Sequence, residues 1–283
     1  MPKGLEKGAP NALGLADCHI HTSNFSSDAV DTAETMVRAA LKKGVSYLAI
    51  TDHLDLKPDG SLPSRLNELP AYRRALTALK EKYRDQLELA AGIEIGFVPQ
   101  HAARIAALLD GLAFDYIINS VHEVDGEDCY FPAYFQGKTK ARAYCGYFEA
   151  VLASLDAPYP YHCVGHLGYV ERRSPYPDPA AHYGEFAETL DAVLEKIIRK
   201  KKIIELNTNT YGGSFPWLPN AGILSRYKEL GGERVAFGSD AHQKARIGDK
   251  YKEAAEFLKG MGFKGFTVIS DGNEMLTDFD ANI

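Results

Sequence analysis

Histidines and carboxylates close one short apolar run after another along this chain. Asp17, His19 and His21 end the first run (LGLADCHIH, 13–21), where the two-residue period of a strand places all three on one face and Cys18 and Ile20 on the other. Asp52 and His53 end the second (SYLAITDH, 46–53), Glu94 the third (LELAAGIEI, 87–95), His122 the fourth (FDYIINSVH, 114–122) and His166 the fifth (HCVGH, 162–166). Asp240 and His242 come at the end of a further run, VAFGSD (235–240). Imidazole and carboxylate together suit zinc, manganese or iron, and the lack of cysteine at these run ends argues against a purely structural thiolate site. So many donors exceed the needs of one ion. A carboxylate such as Glu94 can bridge two ions about 3.5–4 Å apart, so two or three divalent transition-metal ions are expected.

Each piece taken alone has a blander explanation. An isolated His-x-His is a weak motif, Asp-His after a strand is commonly a cap or turn, Ser239-Asp-Ala-His could cap a helix, and a lone strand-end glutamate usually faces solvent. Combination defeats these explanations, because six separate run ends would each need an unrelated reason to carry ligand-type residues. His101 and His182 lie in polar, helical contexts and read as solvated. His162 sits at the opposite end of its run from His166 and reads as structural.

The elements that must position these groups alternate. Between the β-rich runs, which continue with KIIELN (202–207) and GFTVIS (265–270), lie stretches of helical periodicity. Examples are Met36, Val37, Ala40 and Leu41 before Gly44, and Phe186, Leu190, Val193, Leu194 and Ile197 before a lysine run. A βα rhythm implies a parallel sheet with helices outside, and the absence of G-x-G-x-x-G after the first run argues against a dinucleotide fold. In a closed barrel the carboxyl ends of all strands share one rim, where residues more than 200 positions apart converge. No Pro/Gly/Ser-rich linker divides residues 1–283, so a single domain is expected, with 54–70, 124–137 and 208–220 as loop insertions.

Composition excludes several classes. With 45% hydrophobic and 25% charged residues the chain is an ordinary globular one, and a net charge of −6 with no basic block beyond Arg199–Lys202 disfavours a nucleic-acid groove. Cysteines 18, 129, 145 and 163 form no C-x-x-C pair, which fits reduced thiols in a cytoplasm. The first residues contain no apolar leader core and no membrane-spanning run follows, so a soluble, cytoplasmic protein is expected.

The motifs DCHIH (17–21), FSSDA (25–29), ITDH (50–53), GIEIG (92–96), SVHEV (120–124), GHLGYV (165–170), ELNT (205–208) and GSDAH (238–242) follow one another in an order that resembles the polymerase and histidinol phosphatase (PHP) superfamily, in its histidinol-phosphatase branch. The resemblance spans residues 17–248. It implies a distorted (β/α)7 TIM-like barrel with a trinuclear metal centre, leaving 265–270 as an accessory or edge strand. It assigns His19, His21, Glu94 and Asp240 to one ion, with Glu94 bridging to a second held by His122 and His166. His53 and His242 would hold a third, with Asp28, from a loop one residue longer than the family pattern, as its further ligand. Asp17 and Asp52 would be acceptors that orient ligand imidazoles.

By the same resemblance Arg172 in GYVERRSPY binds phosphate, Arg246 in AHQKARIG is a second cation on the rim, and Asn209 stands where related phosphatases carry arginine. The implied catalytic set is Glu94, Asp240, His242 and Arg172, with Arg172, Arg246 and Asn209 at the substrate. The implied activity is hydrolysis of L-histidinol phosphate to L-histidinol and phosphate by metal-activated hydroxide. The alternatives are another small phosphomonoester, a nucleotide phosphodiester, a catalytically silent metal-binding module and an amidohydrolase-like C–N hydrolase. The last is disfavoured because no later strand ends in a lysine. Glu123, Asp125, Glu127 and Asp128 read as a solvated acidic loop that could also attract a substrate ammonium.

Overall fold

The computed structural model describes residues 14–210 and 215–280; the amino-terminal segment and part of the 208–220 loop lie outside the described residues. Seven strands form the barrel in chain order: β1 Leu15–Ile20, β2 Val45–Ile50, β3 Glu88–Gly96, β4 Tyr116–Ser120, β5 Cys163–Val164, β6 Ile203–Asn207 and β7 Val235–Gly238. All adjacent pairs are parallel. A bridge between Ile20 and Ala241, with His21 N–H donating to Ala241 O at 3.0 Å, brings the last strand against the first and closes the ring. The expected distorted (β/α)7 barrel is therefore what the chain forms.

Helices cover the outside with the faces their periodicity predicts. The first, α1 (Ala33–Lys42), is capped by Thr32, whose side chain accepts from Thr35 N–H, and buries Met36, Val37 and Ala40. A later one, Ala187–Arg199, buries Leu190, Val193, Leu194 and Ile197. His182 is not on a helix as expected; it precedes a single turn, Tyr183–Glu185, and pairs with Asp178 at 2.8 Å.

A second apolar cluster fills the barrel itself. Ala16, Cys18, Tyr47, Ala90, Tyr116, Cys163, Ile203 and Ala236 come from all seven strands, mostly from their amino-terminal halves. An antiparallel hairpin, β8 Gly265–Ser270 and β9 Asn273–Asp278, closes this end: Val268 and Ile269 join the cluster, and Tyr47 OH donates to Ile269 O at 2.8 Å. The run at 265–270 is thus an accessory strand, whose partner β9 is largely polar in sequence, with Met275 packing against the cluster.

One local irregularity aims the metal-type side chains. Asp17 pairs with Leu48 but Ile20 with Ile50, so β1 spends three residues where β2 spends two, a β-bulge. Strict alternation across 17–21 therefore fails. Ala16 and Cys18 face the barrel interior, Asp17 between them does not, and past the bulge His19 and His21 turn inward while Ile20 joins the outer core.

Candidate active site

Glu94 lies at the centre of the carboxyl-end rim and is fully buried. Its Oε2 is 3.3 Å from His19 Nε2, 3.6 Å from His21 Nε2 and 2.8 Å from His53 Nδ1. Its Oε1 is 2.8 Å from His166 Nε2 and 3.3 Å from His122 Nε2, and accepts from Ser120 Oγ at 2.7 Å. Asp240 Oδ1 approaches His21 Nε2 at 3.2 Å and His242 Nδ1 at 3.5 Å. Asp28 Oδ2 lies 3.0 Å from His242 Nε2 and 3.6 Å from His53 Nε2. The structure thus brings together all nine residues expected at the rim, Asp28 with its longer loop included.

The donor set fits divalent cations. His19 Nε2 and His21 Nε2 face each other at 3.0 Å, and His122 Nε2 and His166 Nε2 at 3.3 Å. Glu94 Oε2 is buried and makes no well-aligned hydrogen bond among the described residues, even with His53 Nδ1 at 2.8 Å. Such converging lone pairs in a dry site call for a positive charge between them. Three subsets offer ligand atoms within reach of one cation: His19, His21 and Glu94; His53, Glu94 and His122; and His21, His53 and His242. Burial alone would push the Glu94 carboxyl up, but His19, His122 and His53 hold it well below the carboxylate range. Burial likewise acts against the charged form of Asp240, and Arg172 and His19 outweigh it. His21 moves the other way, lowered by burial and by His53 and His242 beside it.

Two orienting assignments need correction. Asp17, turned away by the bulge, accepts from the backbone N–H of Ser239 at 3.0 Å and of Gly248 at 2.9 Å. Asp52 accepts from Thr22 N–H at 2.6 Å and Ser26 Oγ at 2.8 Å, fastening the loop that carries Asp28. The carboxylates on the far nitrogens of rim imidazoles are Glu205, 2.6 Å from His19 Nδ1, and Asp55, 2.9 Å from His122 Nδ1. Their signals were present: Glu205 is a charge inside an otherwise apolar buried strand, and Asp55 follows His53 by two residues. His162 is structural as expected; its Nδ1 accepts from Ile117 N–H at 3.0 Å, and its ring stacks on Tyr116.

A cavity of about 320 Å³ opens over this rim. Arg172 lines it, buried, donating to Asp240 Oδ2 at 2.7 Å and Asn207 Oδ1 at 3.0 Å, with its guanidinium 5.0 Å from the Tyr169 ring centre. Arg246 and Asn209 do not line it. Arg246 pairs with Asp249 at 3.2 Å, because the turn Lys244–Arg246 carries it away, and Asn209 Nδ2 donates to Asp240 O at 3.1 Å. Arg65, which no motif singled out, also lines the cavity and donates to Ser23 O at 2.6 Å. Of the acidic loop, Glu123 and Asp128 reach the cavity, with Tyr130 and Tyr169 beside them.

The model of the PHP domain matches residues 17–209. A histidinol-phosphatase of Lactococcus lactis is 29% identical over 255 residues, covering 90% of this chain and 94% of that protein. One from Bacillus subtilis is 28% identical over 273 residues, covering 85% and 98%. The crystal structure of the Lactococcus lactis histidinol phosphate phosphatase, complexed with zinc, L-histidinol and phosphate, superposes with a TM-score of 0.80 at 27% identity, covering 93% of this chain and 99% of that one. Matched over more than half its length, and carrying the expected rim of histidines and carboxylates, the chain belongs to the PHP domain family.

Proposed function

We propose that this protein is a metal-dependent phosphomonoesterase that hydrolyses L-histidinol phosphate to L-histidinol and inorganic phosphate. The observation that carries the proposal is the placement of a buried arginine, Arg172, against a nine-residue metal-type rim at the floor of one cavity. The likeness to a phosphatase solved with zinc, L-histidinol and phosphate supports the choice of substrate. His19, His21, Glu94 and Asp240 would hold one cation, Glu94, His122 and His166 a second, and Asp28, His53 and His242 a third. Zinc, manganese and iron all suit these donors. Such cations, when bound, lower the pKa of water and offset charge on phosphoryl oxygens.

The protein's own groups supply orientation. Asp240, Asn207 and Tyr169 fix the Arg172 guanidinium, so it meets a phosphoryl group without reorganising. In the net reaction, water oxygen forms the new P–O bond, the ester P–O bond breaks, and the departing alkoxide takes a proton. Glu123 and Asp128 at the cavity wall provide negative charge for a cationic alcohol, as histidinol is. No described helix is long and apolar enough to cross a membrane, and the acidic balance points to a small-molecule ester rather than nucleic acid. A cytoplasmic location fits this chemistry.

The test is phosphate release by zinc- or manganese-loaded protein from L-histidinol phosphate, from a neutral phosphomonoester of similar size, and from a dinucleotide. Preference for the first by roughly tenfold or more, corresponding to about 1.4 kcal/mol, is expected. Equal rates on the first two would remove histidinol phosphate as the substrate, and preference for the dinucleotide would move the activity to phosphodiesters.

A further inference from the structure

Three glycines stand at the carboxyl ends of barrel strands, and none has the positive φ that would demand glycine. Gly96 ends β3, Gly165 follows β5 and Gly238 ends β7. A β-carbon at Gly96 would overlap Asp55 Oδ1, one at Gly165 would overlap Ser120 Oγ, and one at Gly238 would overlap Glu205 Oε1. Each excluded β-carbon thus leaves room for one polar side chain. Each of those side chains touches a rim residue: Asp55 touches His122, Ser120 donates to Glu94, and Glu205 touches His19.

We infer that Asp55, Ser120 and Glu205 are positioning residues for the metal centre, and that Gly96, Gly165 and Gly238 are glycine so that these three fit behind the ligands. This rests on the metal-centre reading above. A carboxylate on the far nitrogen of an imidazole fixes the tautomer and leaves the other nitrogen's lone pair for a cation. With Nδ1 at Glu205, His19 presents Nε2 toward His21 and Glu94; with Nδ1 at Asp55, His122 presents Nε2 toward His166 and Glu94. Glu205 does more than orient one ring. Its Oε2 accepts from the backbone N–H of His166 at 2.5 Å, so one carboxylate ties together His19 and His166, residues proposed above for two different cations. A glutamine could accept only one of these two hydrogen bonds, because its amide nitrogen accepts none.

The experiment measures zinc retention and thermal unfolding of full-length protein, zinc-loaded and after chelation, for wild type, Asp55→Asn, Asp55→Ala, Glu205→Gln, Gly96→Ala and the double variant Gly96→Ala/Asp55→Ala. Asp55→Asn, at a half-exposed carboxylate, should weaken zinc binding roughly 10–100-fold while the chelated protein unfolds at the wild-type temperature; Glu205→Gln should weaken zinc binding to a similar degree and also lower the unfolding temperature of the chelated protein, since it leaves one buried hydrogen bond unmade. Gly96→Ala should weaken binding to the same degree, and the double variant should bind no worse than Asp55→Ala alone. A purely structural role would instead lower the unfolding temperature of chelated Asp55→Asn while leaving its zinc affinity at the wild-type value, which overturns the inference. So does wild-type zinc affinity in Asp55→Asn and Glu205→Gln, a result that decides the matter even if Gly96→Ala does not fold. A wild-type protein that binds no zinc overturns the metal-centre reading itself.

Discussion

The two ends of the barrel are made from the same seven strands, yet they solve opposite problems. At the amino-terminal end the inward positions hold Ala16, Cys18, Tyr47, Tyr116 and Cys163, sealed by the β8–β9 hairpin. At the carboxyl end the inward positions a few residues later hold Glu94, Glu205, Asp240, His19, His21 and His166, all nearly excluded from water. Burying apolar surface stabilises the floor at about 25 cal/mol per Å². Burying carboxylates and imidazoles destabilises the rim unless charges are matched. The floor therefore holds the barrel closed whether or not a ligand is bound, whereas the rim depends on cations to be at ease. Stability and chemistry are separable along each strand.

Glu94→Gln should break the rim most severely. It removes charge shared by five imidazoles, so metal content should fall by at least one equivalent and kcat by more than the roughly 10–100-fold typical of losing an orienting partner. Elemental analysis and phosphate release check this, and near-normal values for both would show that Glu94 is not the bridging group. Arg172→Ala should leave metal content intact but lower kcat/KM by about 10²-fold and weaken inhibition by inorganic phosphate. Unchanged kinetics would shift the anion contact to Arg65, which also lines the cavity.

Glu171 sharpens the contrast, since it is a buried carboxyl next to the rim but outside the histidine cluster. Burial pushes it up to about 8, against an ordinary value of 4.5. The folded protein therefore holds a proton that the unfolded chain releases first, and this group costs stability increasingly as pH rises from 4.5 toward 8. Glu171→Gln should be more stable than wild type by a margin that grows across that window, on the order of 1–3 kcal/mol near neutral pH in denaturant unfolding. A constant difference between pH 5 and pH 8 would contradict it. Tyr47→Phe should have the smallest effect. Loss of its hydrogen bond to Ile269 O at the floor should cost about 1 kcal/mol in denaturant unfolding and leave metal content and kcat unchanged.

The strand succession, the helix faces and eight of the nine rim residues were readable because they depend on residue type and on period, which a sequence displays directly, whereas Asp28 was implied only by the resemblance to the PHP family. What was hidden depends on pairing. The bulge in β1 exists only relative to β2, so Asp17 was placed with His19 and His21 when it belongs on the other side. Glu205 and Asp55 act on imidazoles 186 and 67 residues away, a relation visible only once the barrel closes. Arg246 looked like a rim cation from its position after β7, but the turn at 244–246 directs it to Asp249. Strand β9 escaped notice because Asn273, Glu274 and Asp278 make it read as a polar tail, although its backbone pairs with β8 throughout.

Zinc titration of metal-stripped protein, with inorganic phosphate released from L-histidinol phosphate as the readout, tests the central claim most directly. The rim geometry predicts no release from the stripped, folded protein and a rise that saturates at two or three equivalents of zinc. Phosphate release that is unaffected by stripping, or none from folded protein holding its full complement of zinc, would contradict it.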